Sequence, residues 1–483
     1  MSNTSDTTRG TAAATGAGPL VGIQVGAVSF VDEGVTEVID TVSERAGVNA
    51  LFVATQAFDR GVAGRQVTWK TAPGHGPDDL SDVHVGGSFV TQHPERYAGS
   101  VLGPYRAPDA EVEGFDVLGD VVPTAHERGV AVYSFMLENT HSGLTRHVPN
   151  WTKVLQVDAY GRTDVYACLR NPDYQAWWLS LVEDQVRSYP LDGIMWGSER
   201  QGPLDNALSD GGFARTGIPY CFCEHCVAAG TRQGIDARRA REGYVALDAL
   251  LTEADAAAGA VRDSTFVRFL RLLGRYPEIV AWDQLWHDGY EGFQGRIYGA
   301  AKFLDPDVQV GWHVWHHNSF SPFYRAHVDV GRYAAFSDFV KPVVYHVCAG
   351  YRLHHYIQTV THRLFRGVSE QVVLDLFTSS LGYDEKVCFE DLPAVGLSAD
   401  YVERETRRTV AALGGHTRVY PGLDVNIPTP DHVRQCTPQD VRAGVAAALD
   451  GGSDGFVLSR KYSEMTLDNL AAVGDELTHR NLR

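Results

Sequence analysis

Eight short apolar runs, each followed by a stretch of helical character, recur along the chain and limit what it can fold into. They cover residues 21–30, 50–56, 130–137, 192–196, 308–315, 339–345, 417–424 and 455–459. Helical periodicity separates them over 35–46, 113–128, 174–188, 266–303, 401–413 and 438–449. The runs are nearly continuous in Val, Ile, Leu and Phe rather than alternating, as expected of strands buried on both faces of a parallel sheet. Eight such units predict an α/β fold closed into a (β/α)8 TIM barrel, with a doubly wound open sheet as the alternative. No glycine-rich phosphate fingerprint follows the first run, which weakens the dinucleotide-binding form of that alternative.

The units are longer than a strand, a helix and two turns require. The surplus follows strands, near 59–112, 139–166 and 201–240, where a barrel builds its mouth. Residues 61–108 read as a loop covering that mouth. Residues 1–18 are rich in Ser, Thr, Gly and Ala and lack an apolar core, so they read as a disordered tail rather than a signal peptide. Residues 19–483 read as one barrel domain, and the expected compartment is the cytoplasm. With 42 Lys and Arg against 60 Asp and Glu, the net charge of −18 opposes nucleic acid and anionic membranes as partners. No apolar run is long enough to span a bilayer.

Polar side chains at the C-terminal ends of barrel strands project into the mouth, so the strand ends nominate a site. The first two strands offer Gln24, Gln56 and Asp59; the third offers Glu138, Asn139 and His141. The fourth ends in Trp196-Gly197-Ser198-Glu199-Arg200, and the fifth gives His313, Trp315, His316 and His317. The last three give Tyr345 and His346, then Asp424 and Asn426, then Arg460, Lys461, Tyr462 and Glu464. Carboxylates, imidazoles and aromatics at this density suit a sugar, which presents hydroxyls at its edge and an apolar face. Glu199 is the leading candidate for a general acid, desolvated by Trp196. Asp424, on the opposite side of the barrel, is the candidate second carboxylate. Glu138 and Glu464 compete with Asp424, or bind sugar hydroxyls with Gln24, Asn139, His313, Trp315, Tyr345 and His346. Arg460 and Lys461 either take a substrate anion or neutralise Glu464 and Asp424.

Three of the seven cysteines fall within six residues, Cys221-Phe222-Cys223-Glu224-His225-Cys226. This spacing suits a structural zinc better than disulfides, with Cys168 as the fourth ligand and His225 as a local substitute. No organic cofactor is expected.

An upstream Cys168, a fourth-strand Glu199 and then Cys-x-Cys-x-x-Cys resemble the zinc-containing barrel β-galactosidases. In those enzymes the metal loop follows the acid/base Glu. The stretch from Cys168-Leu-Arg-Asn171-Pro172 through Leu191-Asp192-Gly193-Ile194 also resembles barrel proteins described as glycosyl-hydrolase-like. The resemblance implies a barrel, an acid/base role for Glu199 and a cysteine-bound zinc. It does not imply galactosidase specificity, because Ser198 replaces the Asn before the Glu, and Asp424 stands where the family's nucleophile is Glu.

The expected activity is hydrolysis of a small glycoside or oligosaccharide. A metal-dependent sugar isomerase, epimerase or lyase is the second reading, with His313, His316, His317 and His346 joining Glu138 or Asp424 around an ion. A non-catalytic carbohydrate-binding barrel is the third. A homo-oligomer is compatible with each of them, although no interface stripe is legible.

Overall fold

The computed structural model describes residues 18–58, 72, 74–75, 86–108, 114–138, 148–209, 220–253 and 262–483. Asp59, Asn139 and His141, nominated above, lie outside these residues, as does the tail before residue 18. Among the described residues, eight strands form the barrel wall. They are β1 (Leu20–Gly26), β2 (Ala50–Ala54), β3 (Ala131–Glu138), β4 (Gly193–Ser198), β5 (Gln309–Val314) and β6 (Phe339–Pro342). A two-piece β7 (Arg418–Val419 and Gly422–Asp424) and β8 (Gly455–Ser459) complete the set. Each strand overlaps an apolar run of the sequence.

All neighbours pair in parallel, and the ring closes. The first piece of β7 pairs with β6 through Phe339 and Arg418. Its second piece pairs with β8 through Gly422 and Val457, and β8 pairs with β1 through Gly455 and Leu20. The interruption in β7 falls at Tyr420-Pro421, where proline has no N–H to give to the ladder. The Pro421 carbonyl still accepts from Val457 N at 2.9 Å, and Tyr420 N donates to Val340 O at 2.9 Å, so the barrel wall stays continuous.

Aromatic rings from one strand fill the barrel against glycines on the next. Phe52 and Tyr133 stack with centroids 4.6 Å apart, and the Phe339 ring stands edge-on to both. A Cβ at Gly311 would come within 2.2 Å of the Phe339 ring, and one at Gly193 within 2.4 Å of Tyr133. Together with Leu20, Phe135, Met195, Tyr420 and Val457 these rings form an inner core. A larger core lies between the strands and the outer helices.

Three features depart from the sequence reading. The first apolar run ends as a strand at Gly26, because Ala27–Glu33 turns helical within it. The long helical stretch splits into Thr265–Arg275 and Glu278–Leu304 at Tyr276-Pro277, where Pro277 interrupts hydrogen bonding. The described residues after β4 carry three helices, Pro203–Leu208, Glu224–Arg232 and Ala237–Thr252. Among the described residues, no helix is long and apolar enough to cross a membrane.

Candidate active site at the barrel mouth

Glu199 directly follows β4, and its side chain keeps 37% of its surface exposed at the C-terminal end of the barrel. Its Oε1 stands 3.3 Å from Nε2 of His313, a buried residue near the end of β5. Strand alternation explains the approach. Trp312 points outward, donating to Phe336 O at 2.9 Å, so His313 points inward. Gly197 on β4 leaves the room it needs, since a Cβ there would lie 2.5 Å from that of His313.

Directly opposite His313 in the β5–β6 register is Lys341, a fully buried lysine. Its Nζ lies 3.3 Å from His313 Nδ1, 3.3 Å from the Tyr345 hydroxyl and 3.4 Å from Gln24 Oε1. Ser459 Oγ donates to the same Gln24 oxygen at 2.8 Å. Gly422 on β7 makes space for the amine, because a Cβ there would stand 2.8 Å from Nζ. Burial pushes the Lys341 amine down from 10.5 to about 7, with the Glu199 charge pulling the other way. Burial, aided by Lys341, likewise pushes His313 down to about 4, so its imidazole is neutral at pH 7. With Lys341 donating to Nδ1, the ring proton sits on Nε2 and is given to Glu199. Strands from around the ring thus contribute to one hydrogen-bonded chain ending at the exposed carboxylate.

Arg352 adds a second cation. Its guanidinium lies over the Tyr345 ring at 5.6 Å and donates to His316 Nδ1 at 3.1 Å. Burial opposes its charge, but Cys348, Glu199, Tyr345 and Asp424 together outweigh that and raise its pKa.

The other nominated residues divide sharply. Tyr345 and Gln24 belong to the chain just described. Glu138 is buried, accepting from Tyr174 Oη, from Ser198 Oγ at 2.6 Å and from the buried Arg200. Those three donors make it a brace under the fourth strand rather than a ligand for sugar. Trp196 faces away from the mouth, packed among Trp178, Tyr290, Phe293 and Trp312, and so cannot desolvate Glu199. Its neighbour Gly197 takes the inward position. His346 is buried against Gly444 of helix Pro438–Asp450. Trp315 is buried with its ring 3.7 Å from that of His317, an internal ring pair rather than a platform. Arg460 pairs with Glu464 at 3.7 Å, and Lys461 is buried beside them.

Asp424 is 1% exposed. Its Oδ2 accepts from Cys348 N at 2.9 Å and its Oδ1 from Ile427 N at 3.0 Å. Cys348 lies in the first turn of helix His346–Arg363, whose N–H groups lack partners within the helix. The carboxylate therefore caps that helix and ties it to the loop after β7. Burial raises its pKa to about 6. Both oxygens are engaged by backbone donors away from solvent, which suits a structural carboxylate better than the second reacting carboxyl expected from strand position. Replacing it by Asn turns an NH2 toward one of those N–H groups, so Asp424→Asn should cost about 1–3 kcal/mol of stability, read as a lower denaturation midpoint.

The histidines of the second reading do not converge. His313 reaches Glu199, His316 Nε2 meets the Tyr401 hydroxyl at 3.0 Å, and His317 Nδ1 meets Gln201 at 3.1 Å. Among the described residues, none of them joins Glu138 or Asp424 in a group able to hold an ion.

Cys168, Cys221, Cys223 and Cys226 do converge, with all four sulfurs within 4.8 Å of one another. Cys168 Sγ is 3.4 Å from that of Cys223 and 3.6 Å from that of Cys226. A disulfide needs about 2.05 Å, whereas four thiolates about 2.3 Å from one ion stand about 3.8 Å apart. The group has the donor chemistry and spacing to hold a metal ion. Cys168 completes it, and His225 instead contacts Asn171 at 3.3 Å.

No family model matches this chain, and no curated protein matches it. Among solved structures, it is similar to the glycoside hydrolase domain of PgaB (BpsB) from Bordetella bronchiseptica. That likeness has 13% identity over 96% of this chain and 98% of that one, with a TM-score of 0.50. It is also similar to a β-galactosidase from the psychrophilic Marinomonas ef1, at 9% identity and a TM-score of 0.51, over 95% of this chain and 59% of that one. At these identities the likeness is one of fold, and what this chain shares with both is the barrel.

Proposed function

We propose that this protein is a glycoside hydrolase in which Glu199 handles the proton exchanged between the glycosidic oxygen and water. The observation that carries this reading is the exposed Glu199 carboxylate at the end of β4, held from behind by His313 and Lys341. A carboxylic acid there protonates the departing oxygen as the glycosidic bond breaks, and the resulting carboxylate takes a proton from the incoming water. Before that cycle begins, the chain behind it can load the acid. Lys341 gives a proton to His313 Nδ1 while Nε2 gives one to Glu199, so the imidazole never becomes charged. Arg352 contributes a fixed positive charge that Glu199 feels. Asp424 acts by fixing the loop and helix that present Tyr345 and Arg352.

The substrate class is a small glycoside or oligosaccharide. The similar structures are described as a glycoside hydrolase domain and a β-galactosidase, which supports the class of reaction but not the sugar. The test is sugar release from a panel of aryl and natural glycosides. Turnover of at least one member is expected; tight binding across the panel with no release contradicts the reading and favours a binding barrel.

In the same reading the four cysteines hold a structural zinc. Four thiolates fill a tetrahedral shell and leave no position for substrate, so the ion pins the segment that follows Glu199 to the Cys168 turn. One cysteine-bound equivalent is expected by elemental analysis. Cys223→Ser should release it and lower the melting temperature by several degrees. A variant that keeps its full metal content and melting temperature contradicts the assignment.

A further inference from the structure

We infer that Asp283, His287 and His327 form a second metal site, separate from the cysteines, for a divalent transition-metal ion. Asp283 and His287 lie one turn apart on helix Glu278–Leu304, so their side chains share a face. His327 is the last residue of helix Pro322–His327. Asp283 Oδ2 stands 3.1 Å from His327 Nε2 and 3.6 Å from His287 Nε2, and one ligand atom from each residue lies within 4.8 Å of the others. The two imidazoles stack with centroids 5.2 Å apart and planes 6° apart.

The cluster is not a satisfied hydrogen-bond network. Asp283 is fully buried and His287 is 2% exposed. Yet among the described residues neither Asp283 Oδ2 nor His287 Nε2 has a hydrogen-bond partner. An Asp–His pair formed for its own sake would aim an N–H at the oxygen. Here the atoms are close but not aligned, so a buried carboxylate oxygen and a buried ring nitrogen remain unpaired, at a cost of about 1–3 kcal/mol each. One cation among them satisfies both.

The surroundings orient the ligands. Leu204 N donates to Asp283 Oδ1 at 2.7 Å, leaving Oδ2 for the ion. His327 Nδ1 lies 3.4 Å from Gln284 Oε1, which fixes the proton on Nδ1 and the lone pair on Nε2. Gly202 borders the cluster, where a Cβ would fall 2.5 Å from His287 Nε2 and 2.7 Å from Asp283 Oδ1. Two imidazoles and one carboxylate suit zinc or iron(II) rather than calcium or magnesium, which prefer all-oxygen shells. Because Leu204 follows β4 and His327 follows β5, the ion would brace the segments that flank Glu199 and His313.

The test uses the full-length protein, stripped by chelator and titrated with Co2+ alone, whose visible spectrum separates thiolate from nitrogen–oxygen sites. Wild type is expected to take two equivalents, one with sulfur charge-transfer absorption and one without. His327→Gln, a partly exposed substitution, should keep the sulfur-bound equivalent and lose the other, its affinity falling at least about 100-fold. Cys223→Ser should show the reverse. Equal cobalt uptake by wild type and His327→Gln, or a wild type that binds only the thiolate equivalent, overturns the proposal.

Discussion

Replacing Glu199 by Gln is expected to lower kcat by about 10²–10⁴ while leaving the melting temperature and sugar affinity close to wild type. The geometry explains this asymmetry. Glu199 is partly exposed at the mouth, and His313 approaches it at 3.3 Å, the long end of a hydrogen bond. Gln can accept that contact through its carbonyl oxygen, so little folding energy is lost. What disappears is the ability to give and take a proton. Asp424→Asn should show the opposite pattern, a clear loss of stability with turnover lowered only as far as the mouth loops loosen. Measured together, kcat and denaturation midpoints separate a reacting carboxyl from one that caps a helix.

The second large effect concerns Lys341. Lys341→Met should abolish most activity yet yield a protein at least as stable as wild type at neutral pH. The reason is the cost of the buried ammonium. Its pKa of about 7 in the fold lies below the usual 10.5, so the unfolded chain binds more protons between those values. Stability therefore rises with pH across that window. The full cost is present at and below pH 7 and has gone by pH 10.5. Met fills a similar volume and carries no such cost. The gain at pH 7 is up to about 4 kcal/mol, offset by the long contacts to Gln24, Tyr345 and His313 that are lost. Stability measured at pH 7 and pH 10 should show the advantage of the variant shrinking at the higher pH. The rate should carry the same signature. If Lys341 supplies the proton that loads Glu199 before bond cleavage, wild-type kcat falls as pH rises through about 7, and any residual activity of the variant loses that limb.

The strands are legible because a parallel barrel buries both faces of every strand, which leaves stretches such as 50–54 and 130–133 apolar throughout. The same property hides the direction in which each side chain points. Ile194-Met195-Trp196 is apolar on both faces, so nothing in the sequence phases it, and Trp196 faces the helices while Gly197 faces the mouth. Glu199 stands out because it lies past the strand end, where a polar residue breaks the apolar run. Lys341 is equally visible as the one cation inside the run Phe339-Val340-Lys341-Pro342. A charged residue at an inward position of a buried strand is costly, and that cost is the signal that would have found it. Asp424 is visible in the sequence as a strand-end carboxylate, but its setting is not: its partners are backbone N–H groups of Cys348 and Ile427, which no residue pattern displays. The cysteine group is legible by spacing, whereas Asp283, His287 and His327 are brought together by two separate helices.

The most direct measurement of the central claim compares leaving groups in the Glu199→Gln variant. An aryl glycoside whose phenolate departs without a proton should be cleaved at a rate within about tenfold of wild type at the bond-breaking step. A glycoside with an ordinary sugar alcohol as leaving group should be cleaved at least about 10²-fold more slowly. Equal losses on both substrates, or no loss on either, would contradict a proton-transferring role for Glu199 and, with it, the relay from Lys341 through His313 to the barrel mouth.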